Sequence, residues 1–268
     1  MPSVIIEGQQ LHYVDQGQGF PILLGHSYLW SAEMWQPQID ALSQHYRVIV
    51  PDLWGHGRSG KLPEGSDSLT SLARHHLALL DALDIPHSHL IGLSIGGMWG
   101  AELAAMAPER VSRLVLMDTW LGAESEDARG RYFALMDQID QADSIPPPLL
   151  DIITPMFFHP DGQTVPEQRR AFRAHLSNLS SVQLRESILP LGRLLFGRSD
   201  RCALLDSLDA QATLVMAGDR DIPRPVHEAK EMASRVGCDF VAIPHAGHIS
   251  NLENEEFVTD TLLSWLAT

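Results

Sequence analysis

Leu90-Ile91-Gly92-Leu93-Ser94-Ile95-Gly96 decides how this chain folds. Leu90 to Leu93 is a short apolar run of the kind that forms a buried strand, and a helical pattern begins near Ser94 with no loop between. The junction, Gly92-Leu93-Ser94-Ile95-Gly96, fits the G-x-S-x-G pattern, in which a serine occupies a sharp strand-to-helix turn. Such a turn needs neighbours without side-chain bulk, because the backbones pack closely there and the serine's own backbone is strained. It also puts Ser94 at a helix N-terminus, where free N–H groups and the macrodipole favour negative charge developing on a substrate. The pentapeptide alone also suits a glycine-rich turn that merely packs, so its weight depends on what surrounds it.

On both sides of it, short apolar runs alternate with amphipathic segments long enough for helices, the rhythm of a mostly parallel sheet covered on both faces. Val4 to Glu7 and Leu11 to Asp15 read as an opening hairpin around Gly8, and Pro21 to Gly25 as a buried strand. Ser31 to Gln44 is expected as one helix capped by Ser31, followed by a strand at Arg47 to Val50 and a helix from Ser68 to Leu83. Leu114 to Met117, Thr213 to Met216 and Phe240 to Ile243 complete an eight-stranded sheet, and a last helix runs from about Leu252 to Leu266. From about 124 to 200 the helical patterns are broken by prolines at 146 to 148, 155, 160 and 166, and no run looks like a strand. That stretch is expected to be a helical lid inserted into a single domain spanning 1–268.

Composition narrows the function. The formal charge of −15 argues against a phosphate-binding surface, so nucleic acid is not expected as a partner. No apolar run reaches the length of a membrane span, and the first residues lack the basic start and apolar stretch of a signal peptide, so a cytoplasmic protein is expected. Cys202 and Cys238 read as ordinary free thiols, and the 13 histidines lack the spacing that puts two metal ligands on one helical face. Neither metal nor cofactor is expected, and the partner is a small-molecule substrate.

A serine hydroxyl is a poor nucleophile until a base takes its proton. Pro244-His245-Ala246-Gly247-His248 follows the last predicted strand, so it lies at the strand edge where α/β folds bind ligands. His248 is preferred as the base because the glycine before it allows a tight loop, which leaves His245 an ordinary loop residue. The acid should follow the preceding strand, where Gly218-Asp219-Arg220-Asp221 offers two carboxylates. Asp221 is preferred, with Asp219 stabilising the turn or pairing with Arg220.

Ser94, Asp221 and His248 stand in the order nucleophile, acid, histidine, and in this the chain resembles the α/β-hydrolase superfamily along its whole length. Pro51-Asp52-Leu53-Trp54-Gly55-His56-Gly57-Arg58-Ser59 is similar to that family's D-x-x-G-x-G-x-S turn. Gly218 to Asp221 is similar to its acid turn, and Ala246-Gly247-His248, with Glu253, Glu255 and Glu256 beyond, to its ending. The resemblance implies the α/β-hydrolase fold and a serine hydrolase that cleaves a small ester, lactone or related carbonyl compound through an acyl-enzyme.

It further implies an oxyanion hole made by the N–H of Ile95 and a second N–H from the loop after the third strand. Aligned on Trp35, that donor is Tyr28; counted without the anchor it is Ser27. Serine at position 27, where the family usually has glycine, also resembles enol-lactonases and small aryl esterases. Trp30 and Trp120, near strand ends, are candidate pocket walls, with Trp54, Met98 and Trp99 nearby; plain core packing is the competing expectation. Met156, Phe157 and Phe158 either close the pocket from the lid or form the lid's own core. Relatives with the same triad cleave C–C bonds, form peracids, act as lyases or serve as small-molecule receptors.

Overall fold

The computed structural model describes residues 2–161 and 165–268. β1 (Ser3–Ile6) and β2 (Gln9–Gln16) form an antiparallel hairpin. Its two turn residues, Glu7 and Gly8, have φ of 49° and 72°, the paired positive values that match a tight hairpin to strand twist.

β3 (Pro21–Gly25) leads to a 3₁₀ turn (Ala32–Trp35) and then α1 (Gln36–Leu42). The single helix expected from Ser31 to Gln44 is therefore divided. Ser31 caps the 3₁₀ turn by accepting the Glu33 N–H, and Pro37 restarts the helix in its first turn, where its missing N–H is harmless. β4 (Arg47–Pro51) follows, then α2 (Leu69–Ala82), opened by a capping box in which Ser71 stands where Glu or Gln is usual. β5 (Ser88–Leu93), α3 (Ile95–Met106) and β6 (Val111–Met117) complete the first half.

Between β6 and the next strand come α4 (Glu126–Ala142), α5 (Pro147–Met156), α6 (Pro166–Ser177) and α7 (Ser181–Gln183). α7 continues through a π-helical turn (Leu184–Ile188) into α8 (Leu189–Phe196). No strand occurs there among the described residues. Two of the prolines that interrupt the pattern begin helices, Pro147 in α5 and Pro166 in α6. β7 (Thr213–Gly218), α9 (Val226–Val236), β8 (Asp239–Ile243), α10 (Ser250–Glu253) and α11 (Glu255–Leu266) end the chain. The last expected helix is split at Asn254, which leaves helical geometry while its side-chain amide donates to the Pro244 carbonyl.

The strands form one eight-stranded sheet in the order β1-β2-β4-β3-β5-β6-β7-β8, parallel from β4 onward. From β3 the chain moves outward to β4, then crosses back to β5 and steps the other way. Right-handed crossovers consequently place α1 on one face and α2, α3 and α9 on the other, and α11 packs on α1. Both faces are covered, which is why Leu23, Leu24, Ile49, Leu90, Ile91 and Val115 are all fully buried without alternation. The direction reverses between β3 and β5, so the loops beyond their C-terminal ends part and leave a crevice. Among the described residues no helix is long and apolar enough to cross a membrane.

Candidate active site

Ser94 follows β5 with φ 58° and ψ −122°, a left-handed conformation unfavourable for a residue with a Cβ. It is held by the Ser94 N–H donating to Met117 O, by the Thr119 hydroxyl donating to Ser94 O, and by the start of α3. Glycines at 92 and 96 permit the crossing: a Cβ on Gly92 would fall 2.5 Å from Gly97 N, and one on Gly96 2.5 Å from the Gly25 carbonyl carbon.

His248, in the loop after β8, sits with Nε2 3.0 Å from Ser94 Oγ and Nδ1 2.9 Å from Asp221 Oδ2, Asp221 lying just beyond β7. A carboxylate only accepts, so Nδ1 carries the proton and Nε2 is free to accept the Ser94 hydroxyl. Ser94, Asp221 and His248 are 6%, 6% and 3% exposed, and this shielding strengthens each contact. His245 is exposed and lies outside this chain of contacts, while Asp219, also exposed, accepts the Ala246 N–H at 3.4 Å. The histidine loop is fixed by Glu253, which accepts from the N–H groups of Gly247 and His159, and by the Ile249 N–H donating to Phe157 O.

The loop after β3 supplies the facing wall. Ser27 N–H points to Met34 Sδ at 3.4 Å and Leu29 N–H donates to His56 Nε2 at 3.0 Å. Between them the Tyr28 N–H has no hydrogen-bond partner among the described residues, and nor does that of Ile95. Of the two loop positions considered from sequence, Tyr28 therefore has the available donor. Its hydroxyl donates to Ile188 O at 2.8 Å, which ties the loop to the π-helical turn.

Beneath the loop, His26 and His56 act as neutral clamps: Nδ1–H donates to Ser27 O and to Trp54 O, and Nε2 accepts the N–H of Leu53 and of Leu29. Asp52 anchors the same region by accepting from Ala32 N–H, Arg58 N–H and His12 Nδ1–H. Burial lowers the pKa of His26 and takes His56 and the stacked His76 down to about 3. A histidine with a depressed folded pKa gives stability that is complete above the unfolded value near 6.5 and is lost as pH falls toward the folded one. Asp118 and Glu228, whose carboxyls are raised, have the opposite sign, but they are two groups against several histidines. Each pH unit between a ring's unfolded and folded pKa is worth ~1.4 kcal/mol, so acidification should remove several kcal/mol between about pH 6.5 and 3. Urea unfolding at pH 7.5, 5.5 and 4.5 should show a falling midpoint; a constant midpoint would mean these rings are solvated.

Asp118 belongs to none of the motifs that single out site residues in the sequence. It follows β6 at the level where Ser94 follows β5, since Leu93 and Met117 are paired, and that alignment is the signal that could have found it. Fully buried, it accepts from the Gly218 N–H at 2.7 Å and the Ser250 hydroxyl at 2.5 Å, so it joins the acid turn to the histidine loop. Burial, then the charge of Asp221, pushes its carboxyl well above the ordinary 3.8.

Ser94 and His248 open into a cavity that is continuous with solvent at its mouth. Its walls are mainly hydrocarbon from Met98, Leu135, Met136, Met156, Leu189 and Phe196, a character suited to a small organic ligand. Glu124, Tyr132 and Arg224 are also among the lining residues. Burial pushes Glu124 up, but the charges and hydrogen bonds of Arg224 and Arg198 push it further down, so it stays ionised within its own ion pairs. Trp30 and Trp120 do not line the cavity. Trp30 stacks on Phe172 at 4.3 Å in an aromatic cluster with Phe157 and Phe158, and Trp120 packs over Gly122 while its carbonyl accepts from Arg198. Trp54 and Trp99 are core, whereas Met98 reaches the cavity. Of the apolar triplet, Met156 and Phe157 face the cavity and Phe158 is buried in the aromatic cluster. Cys202 and Cys238 are free thiols that burial raises to about 12 and 11, which leaves them inert.

Comparison with known proteins agrees with this architecture. A protein of Variovorax paradoxus strain S110, provisionally named carbamate hydrolase RutD, is 29% identical over 269 residues, 96% of each chain. The enol-lactonase of Burkholderia xenovorans LB400 superposes with a TM-score of 0.87 over all of both chains at 26% identity. A thermophilic esterase from Thermogutta terrifontis gives 0.85 at 28% identity over 97% of this chain and 93% of its own. Residues 21–255 match the family model described as alpha/beta hydrolase fold, so the chain belongs to that family.

Proposed function

We propose that the protein is a serine hydrolase acting on esters or lactones with a sizeable apolar portion. The observation that carries this reading is the continuous line Asp221, His248, Ser94, with contacts of 2.9 and 3.0 Å, opening into the apolar cavity beside two unpaired N–H groups. His248 takes the Ser94 proton as Oγ attacks the carbonyl, and the N–H groups of Tyr28 and Ile95 hold the tetrahedral oxyanion. His248 then protonates the departing alkoxide and next deprotonates a water that frees the acid, while Asp221 stabilises the imidazolium. No cofactor takes part in these steps. The helices from 126 to 196 act as a lid that shapes the acyl or aryl site.

The RutD relative raises carbamate as a second substrate class. Carbamate itself is small and polar and would leave the hydrocarbon walls of this cavity without apolar contacts, so the apolar ester is the better fit. The esterase and enol-lactonase relatives support the same choice. Fluorophosphonate labelling followed by turnover of p-nitrophenyl acetate, butyrate and octanoate, ethyl carbamate and a 1,5-diketone tests the reading. A single adduct on Ser94 and a kcat/KM rising about tenfold from acetate to butyrate are expected, each buried methylene contributing ~0.8 kcal/mol. Turnover confined to carbamate or diketone would overturn it, and ligand-induced stabilisation without sustained turnover would indicate a receptor.

A further inference from the structure

We propose that the Ser27 hydroxyl is a third donor to the oxyanion, beside the N–H groups of Tyr28 and Ile95; this rests on the ester-hydrolase reading. Every backbone polar atom of Ser27 is engaged. Its N–H points to Met34 Sδ, and its carbonyl accepts from His26 Nδ1 at 2.8 Å and from Trp30 N–H at 3.2 Å. Its hydroxyl alone has no hydrogen-bond partner among the described residues. The residue is fully buried, yet it lines the same cavity as Ser94 and His248.

A buried hydroxyl without a partner opposes folding, because water bonds are lost and nothing in the protein replaces them. The ring of the adjoining His26 is already committed: Nε2 accepts from Leu53 N–H, and Nδ1 donates to the Ser27 carbonyl. The partner therefore arrives with the substrate. Ser27 precedes Tyr28 on the clamped loop and lines the cavity together with Ser94 and His248. A neutral carbonyl oxygen is a modest acceptor, whereas the oxyanion is charged and binds a hydroxyl donor more strongly, so the contact lowers the barrier and does not simply tighten binding. Ser27 keeps its proton throughout, and no bond to it forms or breaks. His248 serves Ser94 alone, so Ser27 has no base and is not a second nucleophile.

The test uses the full chain with p-nitrophenyl butyrate and, separately, phenylboronic acid as a tetrahedral mimic on Ser94. Ser27→Ala should lower kcat on the order of 100-fold with KM within threefold. Boronate affinity should fall alongside it, while the variant's Tm stays equal to or above wild type because an unpaired buried hydroxyl is gone. Ser27→Cys, a weaker donor, should fall between the two in kcat. A purely packing role predicts the reverse, a lower Tm with kcat within twofold, and that result overturns the inference while leaving the hydrolase reading intact. A wild type that neither turns over esters nor takes a fluorophosphonate adduct would remove the hydrolase reading, and the inference with it.

Discussion

Ser94→Ala should lower ester turnover by roughly ten-thousand- to a million-fold while leaving the urea midpoint almost unchanged. The size of the loss follows from position: Ser94 Oγ is, among the described residues, the one hydroxyl bonded to the imidazole that Asp221 orients. Stability is spared because alanine has the same Cβ as serine, so the strain at φ 58° and the bracing from Met117 O and Thr119 are kept in both. His248→Ala should cost about as much, and the double variant little more than either, since residues that act as one unit do not add. Activity of the double variant near the product of the two single losses would mean the residues work independently, against the proposed relay. Any ester hydrolysis surviving in Ser94→Ala above the level set by binding and the oxyanion donors would point to another nucleophile.

Much of this was legible before the structure, and the reasons are local. The elbow, the acid turn and the Gly247-His248 loop are short motifs whose spacing reflects steric need at strand ends, and parallel pairing then brings the three ends together. The strand pattern of β3 to β7 was clear because doubly covered strands are continuous apolar runs. Pocket walls were not legible. Trp30 lies two residues from Tyr28, but Phe172 of α6 draws its ring into a stack away from the cavity, a partner 142 positions along the chain that periodicity gives no means to find. The cavity is instead lined by Leu135, Met136 and Leu189 from α4 and α8, whose apolar residues look the same in sequence whether they face one another or a ligand. Asp118 escaped for a related reason: its role depends on register between neighbouring strands and on Ser250, 132 residues away.

Gly96→Ala should abolish measurable activity and destabilise the fold by about 3 kcal/mol or more. The added Cβ would stand 2.5 Å from the carbonyl carbon of Gly25 and 2.9 Å from its Cα, backbone atoms at the end of β3 that no rotamer change can move. Relief requires the first turn of α3 to separate from β3, yet Ile95 lies on one side of that contact and the loop to Tyr28 on the other. Both N–H groups proposed to hold the oxyanion are thereby displaced together, and a shift of about 1 Å is enough to cost on the order of 100-fold in rate. Gly130, in α4, has nothing within 4 Å of the position its Cβ would take, so Gly130→Ala should be neutral or stabilise by up to about 1 kcal/mol through helix propensity alone. The pair separates close approach from flexibility as the reason for a glycine. Measured side by side by thermal unfolding and ester turnover, Gly96→Ala should fail both assays and Gly130→Ala neither. If Gly96→Ala kept full stability, α3 would be free to move from β3, and the strained elbow at Ser94 would need some support other than this backbone contact.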